Sequence, residues 1–324
     1  MEQKVRKKKL GTGIFVTILM MIAIAAFVYS SDIMPRDRSI FEIEYGDKTV
    51  PYSSFKVKPD SPVSLSIDRL YSRNAILVHL EDYTILMEKN SEEKIYPASL
   101  TKMMTAVVAI ENLPDLNEKI RLTMNMFQGL YEANASMAGF QPDEQVRAMD
   151  LLYGAMLPSG AECCMALAEH IGGSEGNFVK LMNQKAKELG IKNTHFENTT
   201  GLHNENHYTT VKDMAVLLSY ALKNDVFREI FTTFRHSTPP TNKHPDGITF
   251  YSTMYEKLGG QNITGGEILG GKTGYTDKAG LCLASLAKVG SQEYILITAG
   301  ASGNNKTEQY NVTDALAVYS SIRK

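Results

Sequence analysis

The amino-acid sequence predicts an α+β fold in which an antiparallel sheet is formed by N- and C-terminal strands and an all-helical lobe is inserted between them. Three observations predict it. Apolar runs rich in β-formers occur in two blocks, residues 74–88 and 268–300, far apart along the chain. Between them, from Ser99 to about Arg235, apolar residues recur at helical spacing. The last two β-type runs are separated only by Val289-Gly290-Ser291-Gln292, a turn short enough for a hairpin.

In order along the chain, a basic cluster (Lys4, Arg6, Lys7, Lys8, Lys9) precedes a run from Leu10 to Ser31 without a charged side chain. At helical rise that run spans a bilayer. Its basic flank keeps residues 1–9 cytoplasmic and puts everything after Asp32 outside. A cleaved signal peptide competes, with Ala23-Ile24-Ala25 as its small-x-small site, but the length of the run favours an uncleaved anchor. Both readings export the folded domain. Residues 32–62 carry Pro35, Pro51, Pro59 and Pro62 in a polar setting and suit a stalk.

The domain proper is expected over residues 63–324. NAILVHLE (74–81) and YTILME (83–88) form its first hairpin, split at Glu81-Asp82. Helices are expected in SLTKMMTAVVAIENL, AMDLLYGAMLP, AECCMALAEHIGG, EGNFVKLMNQKAKELG and TVKDMAVLLSYALKN. Strands return around Ile268 to Gly274, in GLCLASLAK (280–288) and in EYILITAG (293–300). A last helix, capped by Asn311 or Thr313, runs through DALAVYSSI.

With 324 residues and 43% apolar content the chain can bury a substantial core, as one large domain or two closely packed lobes. A net charge of -2 leaves no footprint for nucleic acid. Three cysteines cannot make a disulfide framework. Cys163 and Cys164 are neighbours on one expected helix and read as small buried hydrophobes, since no metal-ligand spacing accompanies them.

A Ser-x-x-Lys tetrad is weak evidence alone, because about one chance match is expected in such a chain. Five occur, starting at Ser53, Ser91, Ser99, Ser285 and Ser321. Only Ser99 has Pro97 just before it and an uninterrupted apolar helix, Met103 to Ile110, behind it. At a helix N-terminus the unpaired N–H groups and the dipole favour a developing oxyanion. Lys102 follows one turn later on the same face. Among Met103, Met104 and Val107 its ammonium is desolvated, which favours a neutral amine able to take the Ser99 proton. A second hydroxyl, Ser159, sits in Leu157-Pro158-Ser159-Gly160, where one helical pattern stops and the next begins. Lys272-Thr273-Gly274, preceded by Gly270-Gly271, opens the returning strands; glycines there admit a close ligand, and Lys272 with Thr273 suits a carboxylate. Each element alone has a bland alternative: a cap with a solvated lysine, a turn serine, an edge-strand bend.

Taken in order and at these separations, Ser99-Leu-Thr-Lys102, Ser159-Gly-Ala161 and Lys272-Thr-Gly274 resemble the three active-site motifs of penicillin-binding proteins and serine β-lactamases. The stretches IYPASLTKMMTA, LLYGAMLPSGAE, ALAEHIGGSEGNFV, NTTGLHNENHYTTVKDMA and GGKTGYTDKAGLCLASLAK resemble, more narrowly, the low-molecular-weight D-Ala-D-Ala carboxypeptidases of peptidase family S11, from about residue 63 to the C-terminus. The resemblance implies a β-lactamase/transpeptidase-like fold and a hydrolase that needs no cofactor or metal. By it, Ser99 would attack the carbonyl between two D-alanines of a peptidoglycan stem peptide. Lys102 would be the general base, and Ser159 and Lys272 would carry protons toward the leaving amine. Lys272, Thr273, Gly274 and Tyr275 would hold the substrate, with Thr273 on the terminal carboxylate and the N–H groups of Ser99 and Tyr275 as oxyanion hole. β-Lactam antibiotics would acylate the same serine.

Three departures stand out. The family's middle motif usually ends in asparagine, and here that position is Ala161, with Glu162 next. An arginine common after the last strand is replaced by ASGNNK, which offers only Lys306. No β-sandwich appendage is expected after the last helix, so the tether is expected at the N-terminus. Ala161 motivates one rival, a catalytically weakened penicillin-binding module with a regulatory or binding role; a DD-endopeptidase that cuts crosslinks is another. A class A β-lactamase lacks support because no Glu-x-x-Leu-Asn stretch occurs. A zinc carboxypeptidase built on His195, His203 and His207 lacks an acidic partner, and these three read as polar loop histidines.

Overall fold

A computed structural model of the chain describes residues 55–57 and 63–323. The basic tail, the expected span 10–31 and nearly all of the expected stalk lie outside the described residues. Among the described residues, no helix is long and apolar enough to cross a membrane.

The strands are β1 (Lys56–Val57), β2 (Asn74–His79), β3 (Thr84–Lys89), β4 (Lys119–Arg121), β5 (Gln145–Arg147), β6 (Arg235–Ser237), β7 (Thr249–Tyr251), β8 (Gly266–Thr276), β9 (Gly280–Val289) and β10 (Gln292–Ala301). The helices are α1 (Thr101–Asn112), α2 (Ala148–Met156), α3 (Ala161–Gly172), α4 (Glu175–Glu188), α5 (Val211–Ala221), α6 (Asp225–Thr232), α7 (Thr253–Leu258) and α8 (Tyr310–Ser320).

A six-stranded sheet has the order β1-β3-β2-β10-β9-β8. Its two halves come from opposite ends of the chain and join where Leu296 of β10 pairs with Leu77 of β2, antiparallel. All neighbours are antiparallel except β1, which pairs parallel with β3 through Lys56↔Thr84 and Val57↔Ile85. This two-residue edge falls inside the stretch read as stalk. A two-residue turn at Gly290-Ser291, with Gly290 at positive φ, closes the β9–β10 hairpin.

The sheet is covered on both faces, which is why β2 and β10 read as continuous apolar runs rather than alternating ones. The pleat still sorts them. Ile76, Val78, Ile295 and Ile297 pack into the core shared with the helical lobe. Ala75, Leu77 and Leu296 pack with Val312, Ala315 and Tyr319 of α8. In the lobe, α1 is the central helix, with Thr101 through Ala109 all buried. That run is enclosed on every side, so this stretch of the helix has no solvent-facing polar stripe.

The expected helices correspond to α1–α5. The sequence did not announce the two-stranded sheets β4–β5 and β6–β7, whose three-residue strands are too short to show a period. The last helix is capped differently from expectation. Gln309 is its N-cap, and Asn311 lies in the first turn, where its amide donates to the Cys282 carbonyl at 2.9 Å. That buried bond to β9 outweighs a capping role.

Candidate active site

Ser99 sits on a single 3₁₀ turn, Ala98–Leu100, that runs directly into α1. The turn is strained: Ala98 has φ +48°, a left-handed conformation that costs an alanine about 1 kcal/mol. Such outliers persist where surrounding structure holds them, and they concentrate at functional sites. Two glycines show what holds this one. A Cβ on Gly201 would stand 1.8 Å from the Ala98 carbonyl oxygen, and one on Gly274 would stand 3.0 Å from the Ser99 nitrogen. The loop around residue 201 and the edge strand β8 therefore lie against the Ser99 turn from two sides, with no room for a side chain at Gly201 and little at Gly274. The Ser99 nitrogen lies beside β8 at Gly274.

The helical turn from Ser99 to Lys102 places Lys102 Nζ 3.2 Å from Ser99 Oγ. The same amine donates to the Thr200 carbonyl at 2.6 Å. Burial pushes the Lys102 pKa down, against an opposing pull from Cys164, Glu162 and Cys163. A neutral Lys102 with one N–H fixed on Thr200 keeps its lone pair for the Ser99 hydroxyl. Among the other described tetrads, Ser91 bonds Glu88 and Ser285 shares a bond with Tyr319, so neither meets its lysine.

Behind this pair lies a second one. Lys272, fully buried on β8, has Nζ 2.9 Å from Ser159 Oγ and 3.1 Å from the Thr273 carbonyl. Burial, and then the positive charge of Lys102, hold its pKa well below that of a free lysine. Ser159 reaches it from the α2–α3 connection in a left-handed conformation, φ +68°, the second strained residue of the site. The sequence elements 99–102, 159–161 and 272–275 are thus brought together, with both lysines desolvated and both hydroxyls on a lysine.

A cleft of about 710 Å³ is lined by Ser99, Lys102, Ala161 and Tyr275 among others, whereas Ser159, Lys272, Thr273 and Gly274 are not among its lining residues. Tyr275 projects its hydroxyl onto Asp277 at 2.6 Å. Thr273 shares a 2.7 Å hydrogen bond with Thr253 of α7. Lys306 does not line the cleft; Asn305 does, and so does Lys278, a cation that the sequence did not single out.

Other contributors were not legible. Glu162 turns inward: it is fully buried, and its Oε1 accepts the backbone N–H groups of Ala138 and Gly139 at 2.7 and 2.9 Å. Its other oxygen has no hydrogen-bond partner, and burial raises its pKa against the opposing pull of the surrounding backbone N–H groups. Ala161 donates its N–H to the Ser136 carbonyl at 2.8 Å. These contacts hold residues 136–139 against the start of α3, beside the cleft. His207, expected to be a polar loop histidine, is instead buried and bonded to Thr101. Cys163, Cys164 and Cys282 are free and buried.

A serine one helical turn from a desolvated lysine, with a second buried lysine–serine pair and an edge strand alongside, forms one compact constellation of two hydroxyls and two buried amines. The family model for D-alanyl-D-alanine carboxypeptidase, Peptidase_S11, matches residues 61–303. The chain belongs to that family. It is 35% identical over 235 residues to D-alanyl-D-alanine carboxypeptidase DacF of Bacillus subtilis, covering 71% of this chain and 58% of the relative. To DacC of Escherichia coli it is 34% identical over 245 residues, covering 71% and 56%. The chain thus spans under two thirds of the length of these relatives. The crystal structure of the Streptomyces K15 DD-transpeptidase superposes with a TM-score of 0.71 at 26% identity, over 79% of this chain and 99% of that one. A D-alanyl-D-alanine carboxypeptidase from Mycobacterium tuberculosis gives 0.69 at 25% identity, over 80% and 94%.

Proposed function

We propose that the protein is a serine D-Ala-D-Ala carboxypeptidase that removes the terminal D-alanine from peptidoglycan stem pentapeptides. The observation that carries the reading is the 3.2 Å approach of Lys102 Nζ to Ser99 Oγ at the floor of an open cleft. Ser99 Oγ attacks the carbonyl carbon between the two D-alanines, and Lys102 takes its proton. The oxyanion is held by the N–H groups of Ser99 and Tyr275. The C–N bond then breaks, and the leaving amine takes a proton through Ser159 and Lys272. Water hydrolyses the acyl-enzyme ester and restores Ser99. Thr273 and Lys272 face the terminal carboxylate, and Gly274 lets the substrate strand lie close. β-Lactams acylate the same serine and stall there. The enzyme works outside the cytoplasm, attached by residues 10–31; the uncharged run and its basic flank support this.

The test incubates the full chain with a fluorescent penicillin and with a peptide ending in D-Ala-D-Ala, against Ser99→Ala. Label and D-alanine release, both abolished in the variant, are expected. Label without release points to the weakened binding module that Ala161 motivates, or to the crosslink-cutting enzyme. Label that persists in Ser99→Ala overturns the site.

A further inference from the structure

His207 lies 106 residues from Thr101, yet its Nε2 is 2.8 Å from Thr101 Oγ1. Its other ring nitrogen, Nδ1, accepts the backbone N–H of Glu197 at 3.2 Å. A backbone N–H can only donate, so Nδ1 carries no proton; in the neutral ring the proton is then on Nε2, which donates to Thr101. The ring is buried, edge-on to Phe196 at 5.6 Å between centroids. Burial, with His195 and His203 nearby, pushes its pKa down to about 4, which keeps it neutral near pH 7.

Thr101 stands between Ser99 and Lys102, on the first turn of α1, and is itself fully buried. The same stretch of chain that carries His207 touches α1 again and again. Thr200 accepts from Lys102, and the Thr199 carbonyl accepts from Thr105 at 2.7 Å. A Cβ on Gly201 would stand 2.9 Å from Thr101 Oγ1 as well as against Ala98. Residues 199–207 therefore form a clamp along the first two turns of α1, and the imidazole closes its far end.

We propose that His207 is a positioning residue: as an Nε2–H imidazole it holds Thr101, and through Thr101 the turn on which Ser99 and Lys102 meet. It touches no reacting atom. Its contribution lies in the acylation step, where an error of about 1 Å in a catalytic pair can cost 10²-fold. The inference rests on the carboxypeptidase reading only in taking Ser99 as the nucleophile.

The tautomer makes the test specific. Glutamine has an amide oxygen to accept from Glu197 and an NH₂ to donate to Thr101, whereas leucine has neither. In the full chain, His207→Leu is expected to slow acylation by a fluorescent penicillin about 10–100-fold, with the non-covalent affinity for the drug unchanged. His207→Gln is expected to stay within about threefold of wild type. Thr101→Val removes the same bond from the other side with a side chain of similar size, and is expected to match His207→Leu. The double variant should be no slower than either, because both remove one interaction. Should His207→Leu fail to fold, as judged by thermal unfolding, Thr101→Val and His207→Gln still decide. Wild-type acylation rates in Thr101→Val, a His207→Gln as slow as His207→Leu, or losses that multiply would each overturn the proposal. If wild type itself is not labelled, the carboxypeptidase reading fails instead.

Discussion

Replacing Lys272 with methionine separates what this lysine does for chemistry from what it costs the fold. Methionine keeps much of the volume and removes the amine. The Ser159 hydroxyl, nearly buried, loses its 2.9 Å partner, and leaving a buried hydroxyl unpaired costs about 1–3 kcal/mol. Against that stands relief of a buried cation, whose effective desolvation penalty is several kcal/mol, limited here because the amine can shed its proton instead. The net is a variant about 1–2 kcal/mol more stable, or roughly 2–8 °C in Tm. The pH dependence is opposite in sign to that of a paired carboxylate. The Lys272 pKa lies well below the ordinary lysine value of 10.5. Below pH 10.5 the unfolded chain therefore binds more protons than the native one, and wild type loses stability as the pH falls toward the depressed value. The variant's advantage grows on that descent and vanishes above 10.5. Acylation by a fluorescent penicillin should meanwhile fall about 10³-fold, within the range for a group that moves protons at the reacting centre. Stopped-flow acylation and thermal unfolding at several pH values check both halves. A rate within tenfold of wild type, or a Tm lowered at every pH, would refute the assignment of a costly, working lysine.

Gly274→Ala forces β8 a few tenths of an ångström away from the Ser99 nitrogen and the Ala98 side chain. Acylation is expected to slow about 10–100-fold while Tm changes by only a few degrees; an unchanged rate would show that β8 need not lie so close. Glu162→Ala leaves the N–H groups of Ala138 and Gly139 without their acceptor and should lower stability by about 1–3 kcal/mol in thermal unfolding. Glu162→Gln keeps an acceptor oxygen and should recover most of it. Burial raises the thiol pKa of Cys164 to about 11 and of Cys282 to about 12, and that of Cys163 well above the ordinary value. All three should resist iodoacetamide at pH 8 in the native protein and react once it is unfolded; intact-mass labelling of the native state would contradict their burial.

The parts of the site that were legible in the sequence are those whose geometry is local. Three residues of helix put Lys102 under Ser99 whatever the rest of the chain does, and apolar runs rich in β-formers marked β2 and β10 as strands. What was not legible depends on partners brought from far along the chain. The carbonyl that fixes Lys102 belongs to Thr200, 98 residues away. The histidine behind Thr101 follows a polar loop, Leu202 to Asn206, and nothing in that composition distinguishes a buried imidazole from a solvated one. Glu162 shows the limit most sharply. Its neighbour Ala161 raised the question of a missing amide, and the sequence left open which way Glu162 turns. Inward, it spends one oxygen on two backbone N–H groups of the 136–139 segment and leaves the other buried without a partner. A buried carboxylate held that way is stabilised by the loop and holds the loop in return, so the wall of the cleft beside Ala161 is set by a side chain that does not itself line it.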